Sequence, residues 1–268
     1  MIQRCNWPPK LGETYLCDFA IVAAQERELA SLLRLADDPV RESLDDDFVY
    51  RVSLGGIQGV IAPLKGIGRV DAALATIRLF NSVAPDCLYL VGVAGGFPKS
   101  GTQLGDILVS EKIVDYAIRR ISDDGEEFRL RTFNGDSALV AAARDAAIRM
   151  EGRYRDEARE LPPKVLFGPV LSGDKVIASA LMASRLMRIY DGLLGVEMEG
   201  AGVAAAVAHL AKPVRFLMIR GVVDLADDNK RRDSEMWSAR VCDALAEFTI
   251  ATVKTACEGG KSTYTVSK

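Results

Sequence analysis

The sequence predicts an α/β fold: a single domain with a central mixed sheet flanked by helices. Three observations point there. Continuous apolar runs at residues 19–24 and 87–93 alternate with helical patterns, as strands buried on both faces do. The chain has 268 residues, 49% of them hydrophobic, which suits one sizeable core or at most two small ones. Several strand ends carry glycines and carboxylates, where open α/β sheets hold their ligands.

The elements follow in order. Residues 19–24 read as a buried first strand and 26–35 as the helix after it. Residues 37–47 are acidic and contain Pro39, so a loop is expected. Strands are expected at 48–54 and 60–65, separated by the turn-like Gly55-Gly56-Ile57-Gln58-Gly59. Gly66-Ile67-Gly68 leads into a helix on which Val70, Ala73, Leu74, Ile77 and Phe80 form one apolar face. Residues 87–93 read as a parallel strand ending at Gly95-Gly96, and 107–116 as a further strand. Residues 137–160 form a long helical stretch, highly charged after Met150, expected as a surface excursion. A strand at 165–171 precedes Ser172-Gly173-Asp174, and 181–190 is helical. Residues 200–211 are Ala-rich and read as a tightly packed helix. Residues 214–219 form a buried strand, and Trp237, Val241, Leu245 and Phe248 line one face of a C-terminal helix. Residues 259–268 read as frayed. The domain is expected to span 17–257, with an N-terminal extension at 1–16 and a flexible tail at 258–268.

Composition excludes several function classes. The net charge is −3 and no basic stripe is evident, so no nucleic-acid partner is expected. Five cysteines are scattered without CxxC spacing, which argues for a reducing compartment and against a zinc site. His209 is the only histidine and lies inside the Ala-rich helix, a poor place for a Ser-His-Asp base. No apolar stretch reaches about 18 residues, and residues 1–10 lack an apolar signal core. The expected location is the cytoplasm, with no membrane partner.

The stretch Gly195-Val196-Glu197-Met198-Glu199-Gly200-Ala201-Gly202 sets two carboxylates at a strand-to-helix junction. Two readings stand. At an exposed helix N-terminus, acids favour the macrodipole. In a pocket beneath a close-packed helix, they grip hydroxyls. Other strand ends carry Glu26 and Glu28, Gly92-Val93-Ala94-Gly95-Gly96, and Arg220 to Asp224. All of these segments are expected to converge on one pocket.

With these segments in hand, the chain resembles the nucleoside phosphorylase and nucleosidase superfamily, which implies a phosphorylase/hydrolase-like fold. It is most similar to the methylthioadenosine/S-adenosylhomocysteine nucleosidase branch. The resemblance runs from about Phe19 to Ala251 on ordered segments: Ala24-Gln25-Glu26-Arg27-Glu28, Gly66-Ile67-Gly68-Arg69-Val70, Gly92-Val93-Ala94-Gly95-Gly96, Gly105-Asp106-Ile107-Leu108-Val109-Ser110, and Val196 to Ala201 with Arg220 to Asp224. No single segment is specific; five in order are.

Cleaving ribose from a purine passes through an oxocarbenium-like sugar, much as glycoside hydrolysis does. The departing base needs a proton and the attacking water needs orienting. The resemblance implies that Asp224 protonates or hydrogen-bonds purine N7, a role that burial favours. The bland alternative for Asp224 is a turn-making carboxylate. Glu28 matches the glutamate that holds the water, with Arg220 beside it; the alternative for Glu28 is a first-turn helix acid. Glu199 matches the carboxylate on the ribose hydroxyls, Met198 packs under the sugar, and Glu197 stands behind. Ala94 and Gly95 let the backbone approach base and sugar. Val176 and Ile177 fall where the base is lined.

Departures matter too. The cation that phosphorylases place before the Gly-rich turn is missing from Leu88-Tyr89-Leu90-Val91, and their Gly-Asp-Pro motif is absent. Both favour water over phosphate. Against the standard nucleosidase, Val223 replaces the serine usual before the aspartate, Val93 a serine or threonine, and Val176 an aromatic residue that commonly stacks on adenine. The run Asp224 to Lys230, with Trp237 following, resembles nucleosidase domains of bacterial defence and signalling proteins, some of which act on nucleotides such as ATP. Lys175, Lys230, Arg231 and Arg232 are then phosphate-contact candidates, or ordinary solvated cations. The expected function is a purine nucleosidase using water, on an adenine-type nucleoside or nucleotide such as ATP or AMP. The rivals are a phosphate-dependent phosphorylase and a catalytically silent nucleoside sensor. No metal or organic cofactor is implied. The family analogy suggests a homo-oligomer, dimer or hexamer.

Overall fold

The fourteen-residue strand β5 (Val83–Gly96) is the axis of the sheet. It lies parallel to β1 (Tyr15–Ala23) on one side and to β12 (Arg215–Asp224) on the other. In this computed structural model, residues 14–44, 47–123, 125–156 and 163–261 are described. Beyond β1 the sheet continues through β4 (Ile57–Pro63), β3 (Asp47–Leu54) and β2 (Asp37–Leu44). Beyond β12 come β6 (Ile107–Asp115), β10 (Val165–Ser172) and the short β11 (Gly195–Glu197). Strand β11 also pairs antiparallel with Gly95 and Gly96 of β5, so this half of the sheet closes on itself. Parallel and antiparallel pairings coexist, as a mixed sheet requires.

Strand alternation sorts the core. Cys87, Tyr89 and Val91 of β5 face one apolar cluster with Ile21, Leu217 and Ile219. Helices α1 (Glu26–Leu35), α3 (Ser137–Asp156) and α6 (Lys230–Lys261) cover it through Leu32, Leu139 and Leu245. Leu88 and Leu90 face the opposite cluster with Val22 and Met218. Helices α2 (Arg69–Ser82) and α5 (Gly200–Ala208) close that side through Leu79 and Val203. A third, smaller cluster joins Phe97, Tyr116, Ile177 and Val196 with Ala183 of α4 (Ala180–Leu186).

Two expectations need correction, and two further features lay beyond the sequence pattern. Residues 37–47 are not a loop. Within that range Asp37–Leu44 is β2, an edge strand paired with β3, which begins at Asp47; residues 45 and 46 lie outside the described residues. An edge strand needs no buried alternation and tolerates charge, and Pro39 falls at its register shift. The hairpin β7 (Arg119–Ser122) and β8 (Gly125–Phe128), and β9 (Arg131–Asn134), carry too few apolar residues to be seen by pattern. Residues 187–190 are turns after α4 rather than helix. The apolar face expected on α2 points outward: Val70, Leu74 and Ile77 are exposed, while Ala72, Thr76 and Leu79 are buried. The small stripe is buried because α2 and α5 lie very close.

At the chain ends, β1 takes in Tyr15 and Leu16, and α6 continues through 258–261. Residues 1–13 and 262–268, and the 157–160 end of the expected long helix, lie outside the described residues. No helix among the described residues is long and apolar enough to cross a membrane.

Gly202 shows how tight the α2–α5 contact is: a Cβ there would lie 1.9 Å from the Arg69 carbonyl oxygen. Glycine to alanine inside a helix ordinarily gains about 1 kcal/mol. Here overpacking, worth about 1–3 kcal/mol, opposes that gain and outweighs it. Gly202→Ala is expected to lower the urea midpoint with an unchanged m-value. A raised midpoint would show that the helices are not so close.

Candidate active site

The carboxyl ends of β1, β5 and β12 lie side by side, and charged side chains gather there around Gly92 to Gly95. Arg220 comes from β12 and is fully buried. Its Nη2 donates to Glu199 Oε2 at 3.1 Å and, in a closer bond, to Glu197 Oε2. Burial alone would lower the Arg220 pKa; the charges of Glu197, Glu199 and Glu28 overcome this and raise it. Gly92 makes room for the guanidinium, since a Cβ there would lie 2.0 Å from Nη1.

Glu197 is spent on the protein itself. Besides Arg220 it accepts from Glu199 N at 2.9 Å and from Gly200 N at 3.1 and 2.9 Å. It thus satisfies the first amides of α5 at the positive end of the helix dipole. Glu199 accepts from Gly68 N at 3.3 Å through Oε1. Its pKa is raised by burial, with Arg220 opposing and Glu197 reinforcing the rise. Both readings of this acidic stretch therefore hold in part: the acids sit at a helix N-terminus, and they are buried. Met198 between them is half-buried.

Glu28, in the first turn of α1, is 1% exposed. Its Oε1 accepts from Val93 N at 3.2 Å. Its Oε2, like Arg220 Nε and Nη1, has no hydrogen-bond partner among the described residues. Burial raises the Glu28 pKa, against backbone hydrogen bonds and the Arg220 charge. Arg220 acts on Glu28 through this charge, and its hydrogen bonds go instead to Glu197 and Glu199. Glu26 is exposed and remains a first-turn acid.

Asp224 is aimed by a β-bulge. The β5–β12 register slips at Val223, so Val222 opposes Ala94 and Asp224 opposes Gly95. A Cβ on Gly95 would lie 2.7 Å from Asp224 Oδ1, so this glycine makes room for the acid. Asp224 Oδ1 accepts from Ala226 N at 2.9 Å, the turn-making bond of the bland alternative. Its Oδ2 accepts from Lys230 Nζ at 2.6 Å. Ala226 has φ of 54°, a strained left-handed conformation for a residue with a side chain. The Ser179 N–H to Ala226 carbonyl bond, 3.1 Å, helps hold it.

A polar clamp seats the Gly66-to-Arg69 turn. Arg69 donates from Nε and Nη2 to Asp174 at 3.0 and 2.8 Å, and from Nη1 to both Asp115 oxygens at 3.1 and 2.9 Å. The motif was visible in the sequence and so was Asp174, but nothing in spacing pairs them across 105 positions.

The structure thus brings Glu28, Glu197, Glu199, Arg220, Asp224 and Gly95 together and adds Lys230. Ala94 packs its methyl into the core. Ile177 is buried beside Ala226 in the small cluster. Val176 and Lys175 are exposed on the loop after β10. Of the remaining expected cations, Arg231 pairs with Glu235 and Arg232 with Asp233. His209 is an exposed C-cap of α5.

Removing one partner of a buried ion pair typically costs about 3–5 kcal/mol. Arg220→Met is expected to lose stability on that scale, because Glu197 and Glu199 are left unpaired. For Glu199 the folded pKa already lies above its ordinary value, so its ionisation opposes folding, and the loss grows as pH rises above the usual carboxylate range. Urea midpoints of both proteins at acid and neutral pH test this. A gap that narrows toward neutral pH would refute it.

The phosphorylase superfamily model matches residues 18–254. The 5′-methylthioadenosine/S-adenosylhomocysteine nucleosidase of Maridesulfovibrio salexigens is 31% identical over 208 residues, covering 76% of this chain and 84% of that protein. The Neisseria meningitidis nucleosidase of the same name, solved with methylthio-immucillin-A, gives a TM-score of 0.74 at 27% identity, over 89% of this chain and 99% of that one. The Colwellia psychrerythraea nucleosidase, solved with adenine, gives 0.75 at 25% identity, over 90% and 96%. These matches span the elements that build the site, from β1 through β12, and the chain belongs to the phosphorylase superfamily and, within it, to the 5′-methylthioadenosine/S-adenosylhomocysteine nucleosidase family, a family of purine N-glycosyl hydrolases.

Proposed function

We propose that the protein hydrolyses the N-glycosidic bond of an adenine-type purine nucleoside with water as the nucleophile. The observation that carries this reading is the charge set around Gly92 to Gly95: buried Glu28, Glu197, Glu199 and Asp224 against buried Arg220 and the half-buried Lys230. The set is acidic on balance and suits a sugar that turns cationic in the transition state. Its contacts run along three steps of extended β5, about 10 Å, a span that fits one nucleoside.

Each residue then has a task. As C1′–N9 breaks, its electron pair enters the purine and Asp224 delivers a proton to N7. Glu199 accepts hydrogen bonds from the ribose hydroxyls, with Arg220 and Gly68 N fixing its orientation. Glu28 orients the water through Oε2 and takes its proton as the oxygen bonds to C1′. A pKa raised by burial makes Glu28 a stronger base than an ordinary glutamate. Glu197 holds α5 and Arg220 in place, and Met198 underlies the sugar. Ala94 and Gly95 give the backbone its close approach, while Lys175, Val176 and Ile177 form the loop beside Ala226.

Phosphate fits badly. It would meet four carboxylates, and the buried guanidinium is already committed to two of them. A silent sensor has no use for a buried Glu28 with an unpartnered oxygen, which costs stability. A nucleotide finds Lys230, Arg231 and Arg232 each bound to an acid, so the geometry favours a nucleoside over ATP or AMP.

In phosphate-free buffer, methylthioadenosine or adenosine should release adenine and leave the unphosphorylated sugar, faster than AMP or ATP is cleaved. Asp224→Asn should lower turnover about 10²-fold or more, the scale of general acid catalysis. Strict phosphate dependence with a sugar 1-phosphate product would establish the phosphorylase instead. No base release from any purine substrate would establish the sensor, and preference for ATP the nucleotide enzyme.

We also read the chain as a homo-oligomer, dimer or hexamer. Ile67 and Val70 are 71% and 68% exposed, and Leu74 and Ile77 continue the same patch along α2, an apolar face of the kind that marks an interface. Leu74→Glu with Ile77→Glu should shift the sedimentation coefficient to that of a monomer. An unchanged coefficient would place the interface elsewhere. Among the described residues Cys17, Cys87 and Cys242 are buried thiols rather than disulfides, which supports a reducing, cytoplasmic setting.

A further inference from the structure

Lys230 opens α6 and reaches back six residues to the acid of the site. Its Nζ lies 2.6 Å from Asp224 Oδ2, a short, charge-assisted hydrogen bond. The Lys230 side chain is 28% exposed and that of Asp224 only 2%. One end of the pair therefore meets solvent while the other is sealed from it.

The scaffold fixes this reach. Asn229 N donates to Asp227 Oδ1 at 2.8 Å and Lys230 N to the Asp227 carbonyl at 3.1 Å, so the turn before α6 is set by its own bonds. Gly105, at φ +91°, packs under Trp237 of α6, and its N–H donates to the Val222 carbonyl at 2.9 Å. The start of α6 is thus tied to the same stretch of β12 that carries the bulge. Arg231 and Arg232, the next two residues, point to acids on their own helix. Lys230 alone of the three turns inward.

We propose that Lys230 is a positioning residue that holds Asp224 for proton delivery and opens it to reprotonation from solvent after each turnover. This rests on the reading of Asp224 as the donor to purine N7. When C1′–N9 breaks, the bond's electron pair goes to the purine and Asp224 gives its proton to N7, leaving a carboxylate that the Lys230 ammonium stabilises. Asp224 Oδ2 then regains a proton from solvent water at the exposed Lys230 end of the pair, and the ammonium keeps its own. The attacking water bonds to C1′ and gives its proton to Glu28, which returns it to solvent. One water is consumed, and the free base and sugar leave.

The test compares two leaving groups. Methylthioadenosine needs a proton on its base; 4-nitrophenyl riboside expels a phenolate that needs none. Lys230→Met should lower kcat on methylthioadenosine by about 10²-fold, as loss of acid catalysis does, and leave 4-nitrophenyl riboside near the wild-type rate. Lys230→Ala should regain turnover on methylthioadenosine with added ethylamine, and Lys230→Arg should keep the charge and the 4-nitrophenyl rate if the methionine variant folds poorly. Equal losses on both substrates would reduce Lys230 to a structural part and overturn the proposal, as would wild-type turnover of methylthioadenosine by Lys230→Met. Failure of the unaltered enzyme to cleave either substrate would instead overturn the nucleosidase reading on which it rests.

Discussion

A guanidinium with no access to water is the constraint around which this molecule is arranged. Desolvating Arg220 costs several kcal/mol and is offset only by close, well-aligned acids. Glu197 and Glu199 provide them, from the junction of β11 and α5. That need fixes several things at once. It draws the carboxyl end of β11 across to β5, where Gly195 and Val196 pair with Gly96 and Gly95 and close half the sheet. It demands glycine at position 92, directly under the guanidinium. It also leaves Glu199 with one oxygen on Arg220 and one on Gly68 N, so the carboxylate cannot swing. Pre-set orientation of this kind lets a site stabilise charge without reorganising.

The second device is local. A strand that stayed in register would carry residue 224 one step along β5. The bulge at Val223 holds Asp224 opposite Gly95, and the strained Ala226 turns the chain back over the carboxylate. Strain at such a position is tolerated where surrounding bonds over-determine it; here Asp224 holds the Ala226 amide and Ser179 N–H holds its carbonyl. Burial then does opposite things to the charged groups. It raises Glu28 and Glu199 toward the neutral form, while the same acids keep Arg220 charged. The result is a base that still wants a proton, next to a fixed cation.

Much of this was legible in the sequence, and the misses have physical causes. Residues 19–24 and 87–93 could be read because strands buried on both faces must be apolar throughout. The acids at 28, 197, 199 and 224 could be read because carboxylates at strand ends stand out against an apolar background. The edge strand β2 could not, since nothing in an edge strand obliges its outer residues to be apolar. The apolar face of α2 is legible in the sequence, but its direction is not, because periodicity does not say which side of a helix meets the sheet. Ala72, Thr76 and Leu79 face inward, and Val70, Leu74 and Ile77 are turned out. The Lys230–Asp224 bond escaped because it spans a turn that no periodicity describes. The three cations at 230–232 look alike in sequence; only the fold separates the one that turns inward.

That separation bears on how this chain differs from the nucleosidases it resembles. The resemblance to the nucleosidases leads one to expect a serine next to the aspartate; this chain has Val223 there, which has no side-chain donor. Val223 is buried and serves as the extra residue of the bulge. A buried carboxylate stripped of a hydroxyl donor must find another polar partner. Lys230 Nζ is that partner, at 2.6 Å. A cation replaces a neutral donor, which strengthens the bond and brings solvent within one proton transfer of the acid. The substitution at 223 and the lysine at 230 are therefore two halves of one arrangement. Val93 and Val176 are aliphatic as well, at positions where the same resemblance leads one to expect a hydroxyl and an aromatic ring. Side chains without donors or acceptors cannot select a ligand by hydrogen bonds, so the distinctive chemistry of this site rests on the charged residues that the fold brings together around Arg220 and Asp224.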